Sequence, residues 1–189
     1  MDQPIHSVDK KRHQESREVL KNLIKFCSEL NVNDIIIPCV DNSSLKNKKD
    51  IDIFVETISE FDTLLEKLKI NLSLETDLAP TKFLSLLNKF SSNRITVNYD
   101  IGNSACNGFN YLEELNSYGR RITDVHIKDR TLGGTSVYLG MGDANFDGVF
   151  RSLKSIHYKG PLVMQAYRDD DGLEIFKKQY SWIKKKIEY

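Results

Sequence analysis

Residues 94–130 read RITVNYDIGNSACNGFNYLEELNSYGRRITDVHIKDR. Two β-branched, apolar runs (94–100 and 121–129) flank a segment in which Asn110 precedes Leu112 and Leu115. Runs of this kind are typical of strands buried on both faces. Asn ahead of apolar residues at helical spacing is a helix start. The stretch therefore predicts strand, helix, strand, and each strand ends on polar residues.

The same alternation extends outward in both directions. Upstream, INLSLETD (70–77) and DIIIPCVD (34–41) read as strands. Ile51, Phe54, Val55, Ile58, Leu65 and Leu68 mark one helix between them, and Phe83, Leu84 and Leu87 mark a short one after Pro80. Before the first strand, Leu20, Leu23, Ile24, Cys27 and Leu30 fall on one predicted helix face, with Ser7 or Asp9 as its cap. Downstream come a helix over 146–157, the strand GPLVMQA (160–166) and a closing helix over 172–187. Strict alternation with short connections implies parallel strands joined by right-handed crossovers. An open doubly wound sheet and a closed barrel both satisfy that pattern. The barrel is favoured because no Gly-rich phosphate fingerprint follows the first strand and polar residues sit at nearly every strand end. The expected architecture is a single α/β domain over 1–189, with about five parallel strands and flanking helices.

Composition narrows the function classes. The 189 residues carry 27 Lys+Arg and 27 Asp+Glu, a formal net charge of zero. Nucleic-acid binding rests on neutralising phosphates, so no nucleic-acid partner is expected. The basic clusters at 46–49 and 184–186 read as solvated surface. Cys27, Cys39 and Cys106 form no CxxC pair, which argues for buried thiols over a zinc site or disulfide framework. The N-terminus has no apolar signal core, and no run approaches the roughly 18 apolar residues a membrane span requires. A cytoplasmic location without membrane association is the resulting expectation.

The strand ends supply Glu75, Asp100, His126 and Gln165. In parallel βα folds these ends share one face, where side chains converge. Two carboxylates, one imidazole and one amide oxygen can hold a divalent cation, and the mixture suits Mn, Co, Mg or Zn without selecting among them. Taken singly, each residue is better read as a cap or a salt-bridged group. Their joint occurrence in buried strands raises the odds of coordination, because unpaired polar groups there cost free energy. Spacing alone leaves both readings open.

The segments LETD, NYDIGNSA, VHIKDR, LGMGDANFDGVFRSLKSIHYKGP and VMQAYRDDDG resemble the signatures of xylose-isomerase-like sugar phosphate isomerases/epimerases. The resemblance runs from about residue 5 onward. It implies a TIM-barrel fold and a divalent-metal cofactor, with Glu75, Asp100 and His126 matching the first three metal ligands. The fourth ligand in the better-known epimerases is Glu, and Gln165 stands at the matching position. Asn103, Lys128, Arg130 and Arg168 match neighbourhoods of substrate contact. The implied reaction moves a proton next to a carbonyl of a sugar or sugar phosphate through an enediolate, with Glu75 as the base. Gln165 cannot exchange a proton at neutral pH, so a mechanism with two Glu bases is doubtful. Asp77, Asp129 or a metal-bound water is a candidate for the second proton. The Gly-containing loop 131–145 could act as a lid or present backbone amides to an anion, and it lacks a nucleotide-binding arrangement.

A closed barrel needs about eight strands and typically ~250 residues. Five strands therefore imply an N-terminally incomplete barrel with exposed sheet edges, which a second copy of the chain could cover. The alternative to an enzyme is a non-catalytic metal- or ligand-binding remnant of the same barrel. A phosphodiesterase-like relative ranks last, since a multi-metal cluster needs more His than the four present.

Overall fold

The computed structural model describes residues 4–187. They divide between two compact units, with the boundary between Val97 and Asn98. That boundary falls inside a strand and not in a linker, so no change of composition marks it.

In the first unit, α1 (Lys10–Glu29) begins where the Asp9 carboxylate accepts the Arg12 N–H at 2.9 Å. Strand β1 (Asp34–Cys39) follows, then α2 (Lys48–Ser59), capped by Asn47 on the Asp50 N–H at 3.1 Å. Next come α3 (Asp62–Leu68), β2 (Asn71–Thr76), α4 (Pro80–Leu87) and β3 (Ile95–Asp100). Pro80 opens α4, where a missing N–H costs nothing. β1 and β2 pair in parallel from Asp34↔Asn71 to Cys39↔Thr76, and β2 pairs with β3 from Leu72↔Ile95 to Leu74↔Val97. The core joins Leu20 and Ile24 of α1, Phe54 and Ile58 of α2, and Leu65, Leu72, Leu74 and Ile95, all essentially inaccessible.

Two sequence expectations change here. The single helix read from Ile51 to Leu68 is α2 and α3. Phe61 at the break is buried, so the apolar period carries on across it and hides the interruption. On α1 only Leu20 and Ile24 of the expected face are buried; Cys27 is half-buried, and Leu23 and Leu30 are exposed. An apolar stripe of i, i+4 residues suffices to pack one helix, and Val19, Leu23, Phe26 and Leu30 form a second row on the surface.

In the second unit, α5 (Ile101–Cys106) and α6 (Tyr111–Tyr118) precede β4 (Ile122–Ile127). A two-residue ribbon follows, β5 (Asp129–Arg130) antiparallel to β6 (Ser136–Val137), then α7 (Phe146–Ser155), β7 (Leu162–Met164) and α8 (Gly172–Ile187). β4 and β7 pair in parallel, with His126↔Val163 and Ile127↔Met164. The strand order is β1-β2-β3-β4-β7, five strands among the described residues with helices alongside. Phe146 meets Trp182 edge-on at 5.4 Å, and Gly140 lies so close beneath Trp182 that a Cβ would come within 2.5 Å of the indole.

Helix α5 was not legible in the sequence. Gly102, Asn103 and Ser104 are poor helix formers, yet Asp100 caps the turn by accepting the Asn103 N–H at 2.8 Å. Gly102 is required there, because a Cβ would stand 2.7 Å from Lys128 Cγ. The strand therefore turns straight into a helix that packs against β4 and fixes Asp100 at the junction.

Candidate metal centre

Period-two alternation sets the residues of the second unit on their strand ends. Along β3, Asn98 and Asp100 share one face and Tyr99 takes the other; along β4, Asp124, His126 and Lys128 share a face. Asp100 and His126 are both buried, at 5% and 6% exposure. Asp100 Oδ1 is spent on the α5 cap. Oδ2 is buried and takes no hydrogen bond from any described residue. His126 Nδ1 and Lys128 Nζ each lie 3.7 Å from it. The Asn98 amide sits 3.2 Å from the same ring nitrogen and orients the imidazole.

The β4–β7 register continues past its last paired residues, because the Gln165 N–H bonds the Ile127 carbonyl at 3.0 Å. Lys128 and Gln165 thus face each other, and Lys128 Nζ donates to Gln165 Oε1 at 3.1 Å. Both line a cleft of about 610 Å³ with Ser136, Tyr167, Arg168 and Phe176. Arg168 is exposed there. Buried Gln179 braces the cleft, accepting the Leu139 N–H at 3.0 Å and donating to the Tyr167 carbonyl at 2.6 Å.

Asn103 and Arg130 are brought together by a hydrogen bond from Arg130 Nη1 to Asn103 Oδ1 at 2.9 Å. The same guanidinium donates twice to the Gly134 carbonyl, at 2.7 and 3.2 Å. Its fork is largely committed to the protein, so it holds α5 and the ribbon turn in place.

In the first unit, Glu75 lies near the C-terminal end of β2, one residue beyond the last β2–β3 pair, and is buried at 7% exposure. Half-buried Asp77 follows and accepts a hydrogen bond from the Ser44 hydroxyl. Cys39 ends β1 fully buried, and burial together with the carboxylates of Asp77 and Glu75 pushes its thiol pKa up. It remains a neutral packing group, as expected of a buried thiol.

One expectation about the loop is corrected. The Gly140, Gly142 and Ala144 amides do not face outward for an anion; they donate to the Asp129 carboxylate at 2.8, 3.0 and 3.2 Å. Asp129 is accordingly buried at 1% exposure and accepts three backbone N–H groups, so it shapes the loop. The signal was present in the HIKD…GMGDA spacing, but it reads as a motif and not as a contact until the loop is folded.

A second buried carboxylate escaped the sequence reading altogether. Glu114 accepts from Tyr99 at 3.0 Å, from Tyr118 at 2.9 Å and from the Ser104 hydroxyl. Burial raises its pKa, against the opposing effect of these hydroxyls. Its place on an exposed-looking EEL segment of α6 gave no hint of this. The cluster ties α6 and α5 to the back of β3, opposite Asp100.

The donor set passes a chemical test for a divalent ion. Asp100 offers a buried carboxylate oxygen with no hydrogen bond, an imidazole nitrogen stands beside it, and Glu75 is a further buried carboxylate. Hard oxygens with one nitrogen are the donors of first-row divalent sites.

Comparison with known proteins places the chain among relatives of the same fold. A Haemophilus influenzae protein named as a candidate L-ribulose-5-phosphate 3-epimerase, SgbU, is 28% identical over 203 residues, spanning 98% of this chain and 70% of its own. The crystal structure of a xylose isomerase domain protein from Planctomyces limnophilus superposes with a TM-score of 0.79 at 18% identity, over 92% of this chain and 65% of that one. The IOLI protein, solved with a zinc atom, gives a TM-score of 0.79 at 16% identity, over 97% of this chain and 73% of its own. This chain therefore spans about two thirds to three quarters of these relatives. At such identities the superpositions establish the fold. No described helix is long and apolar enough to cross a membrane. The xylose isomerase-like TIM barrel model matches residues 3–186, and the chain belongs to that family.

Proposed function

We propose that this chain is a metal-dependent isomerase or epimerase of a sugar or sugar phosphate, with Glu75, Asp100 and His126 as metal ligands. The observation that carries this is the bare, buried Asp100 Oδ2 beside the His126 imidazole. The Lys128 ammonium at 3.7 Å offers that oxygen charge but no hydrogen bond, which leaves its lone pairs open to a coordinating cation. The name of the Haemophilus relative and the zinc atom in the IOLI structure point the same way. Gln165 offers an amide oxygen as fourth donor. When bound, a divalent ion would polarise a carbonyl and favour the enediolate. Glu75 takes the proton next to that carbonyl, and half-buried Asp77 is a candidate for returning one. Arg168 stands over the cleft and suits an anionic substituent, since its guanidinium can grip phosphate with two N–H bonds. Asn103 and Arg130 position α5 and the ribbon turn.

A non-catalytic metal- or ligand-binding remnant is the second reading. It is favoured by an amide at position 165, which cannot exchange a proton at neutral pH. The test is solvent-deuterium incorporation into a panel of ketoses and ketose phosphates by the manganese- or cobalt-loaded protein. Exchange that vanishes in Glu75→Gln supports the enzyme. Metal binding with no exchange across the panel supports the remnant.

A further inference from the structure

Lys128 occupies an unusual position for a surface-capable side chain. Its side chain is 17% exposed, and the ammonium stands 3.7 Å from Asp100 Oδ2 and 3.1 Å from Gln165 Oε1. These two oxygens are the ones a cation at this strand end would use. Lys128 reaches them because β4 alternates His126 and Lys128 onto one face and because the β4–β7 register sets Lys128 opposite Gln165. Gly102 leaves room for the stem, whose Cγ and Cβ pack where a Cβ at 102 would be. The ammonium is thus held by a built groove.

We propose that Lys128 is a tethered cation that competes with the divalent metal for Asp100 and Gln165. This rests on the metal reading above. Without metal, the ammonium supplies the positive charge that Asp100 Oδ2 otherwise lacks, and Gln165 anchors it there. A divalent ion bound to Asp100 and His126 places a like charge within a few ångströms of Nζ, and in a buried setting that repulsion is strong. The lysine must swing away, giving up Gln165 Oε1 as it goes. Lys128 therefore weakens metal binding while stabilising the metal-free fold, and Gln165 becomes a donor to the metal only after the ammonium leaves. An amide suits both partners, because its oxygen accepts from an ammonium and coordinates a cation without adding a third negative charge.

The experiment is calorimetric titration of manganese into the wild-type chain, Lys128→Met and Lys128→Arg, with melting temperatures recorded with and without manganese. Lys128→Met is expected to bind manganese about tenfold tighter or more, while Lys128→Arg, which keeps the charge, gains nothing of the kind. The metal-free melting temperature of Lys128→Met falls below wild type, and the manganese-loaded values converge, because tighter binding adds stability by mass action. Lys128→Gln repeats the measurement if the Met variant does not fold. Equal or weaker manganese affinity in Lys128→Met, with wild type binding normally, overturns the competition. So does a drop in melting temperature of the same size in both states, which is what a packing role alone produces. Absence of manganese binding in wild type and variants alike overturns the metal reading, and the competition with it.

Discussion

Asp100 and Asp129 are buried carboxylates near consecutive strand ends of the second unit, and they are used in opposite ways. Asp129 accepts three backbone N–H groups from the 140–144 turn, with both oxygens engaged. Asp100 accepts one N–H on Oδ1, while buried Oδ2 takes no hydrogen bond and has the Lys128 ammonium 3.7 Å away. A carboxylate wrapped in amides is a device for shaping a loop. One left half-satisfied beside an imidazole and an ammonium is where the proposed cation would bind. The pair shows that burial and residue type alone do not separate structural from functional acids; what surrounds each oxygen must be read as well.

The largest expected effect breaks this comparison from the Asp129 side. Asp129→Ala orphans three amides of the turn, at about 1–3 kcal/mol for each buried group left unpaired. Its unfolding free energy, read from urea titration, should fall by roughly 3 kcal/mol or more. Asp100→Asn keeps the cap oxygen for the Asn103 N–H and gives up only the Lys128 ion pair, so metal-free stability should fall by less than in Asp129→Ala. Manganese affinity should respond in the reverse order, falling steeply in Asp100→Asn. If both variants lose stability alike, the distinction between the two acids fails.

Much of this arrangement was visible in the amino-acid order and some was not. Buried β-branched runs announce the five strands, and their ends announce Glu75, Asp100, His126 and Gln165. The strand-to-helix turn at Asp100 was hidden, since DIGNSAC has weak helix propensity and the turn is held by Gly102 packing on Lys128. The break between α2 and α3 was hidden because buried Phe61 preserves the apolar period. Partnerships across long separations were also out of reach: Lys128 with Gln165 is 37 residues apart, and Gln179 with Leu139 is 40. Periodicity reports which face a residue takes and says nothing of which side chain meets it there.

A smaller effect sharpens the comparison with another buried acid, Glu114. Glu114 has its pKa raised by burial, so the folded state favours the protonated carboxyl. Its contribution is fully present below the unfolded glutamate value and is lost as pH rises through the higher folded one. Glu114→Gln removes that loss. Relative to wild type, the variant should therefore gain stability as pH rises from about 4 to about 8, read as the difference between their melting temperatures. A difference that stays flat over that range would show that Glu114 is stabilised as the ion by its three hydroxyls.

The central claim is that Asp100, His126 and Glu75 hold a divalent cation through oxygen and imidazole donors. Pulsed electron paramagnetic resonance on the manganese-loaded chain tests it most directly, because a coordinated imidazole imprints a nitrogen modulation on the manganese echo. The account predicts that modulation in wild type and its loss in His126→Gln, whose side chain offers an oxygen in place of the ring nitrogen. Manganese that binds without nitrogen modulation, or whose modulation persists in His126→Gln, would contradict it.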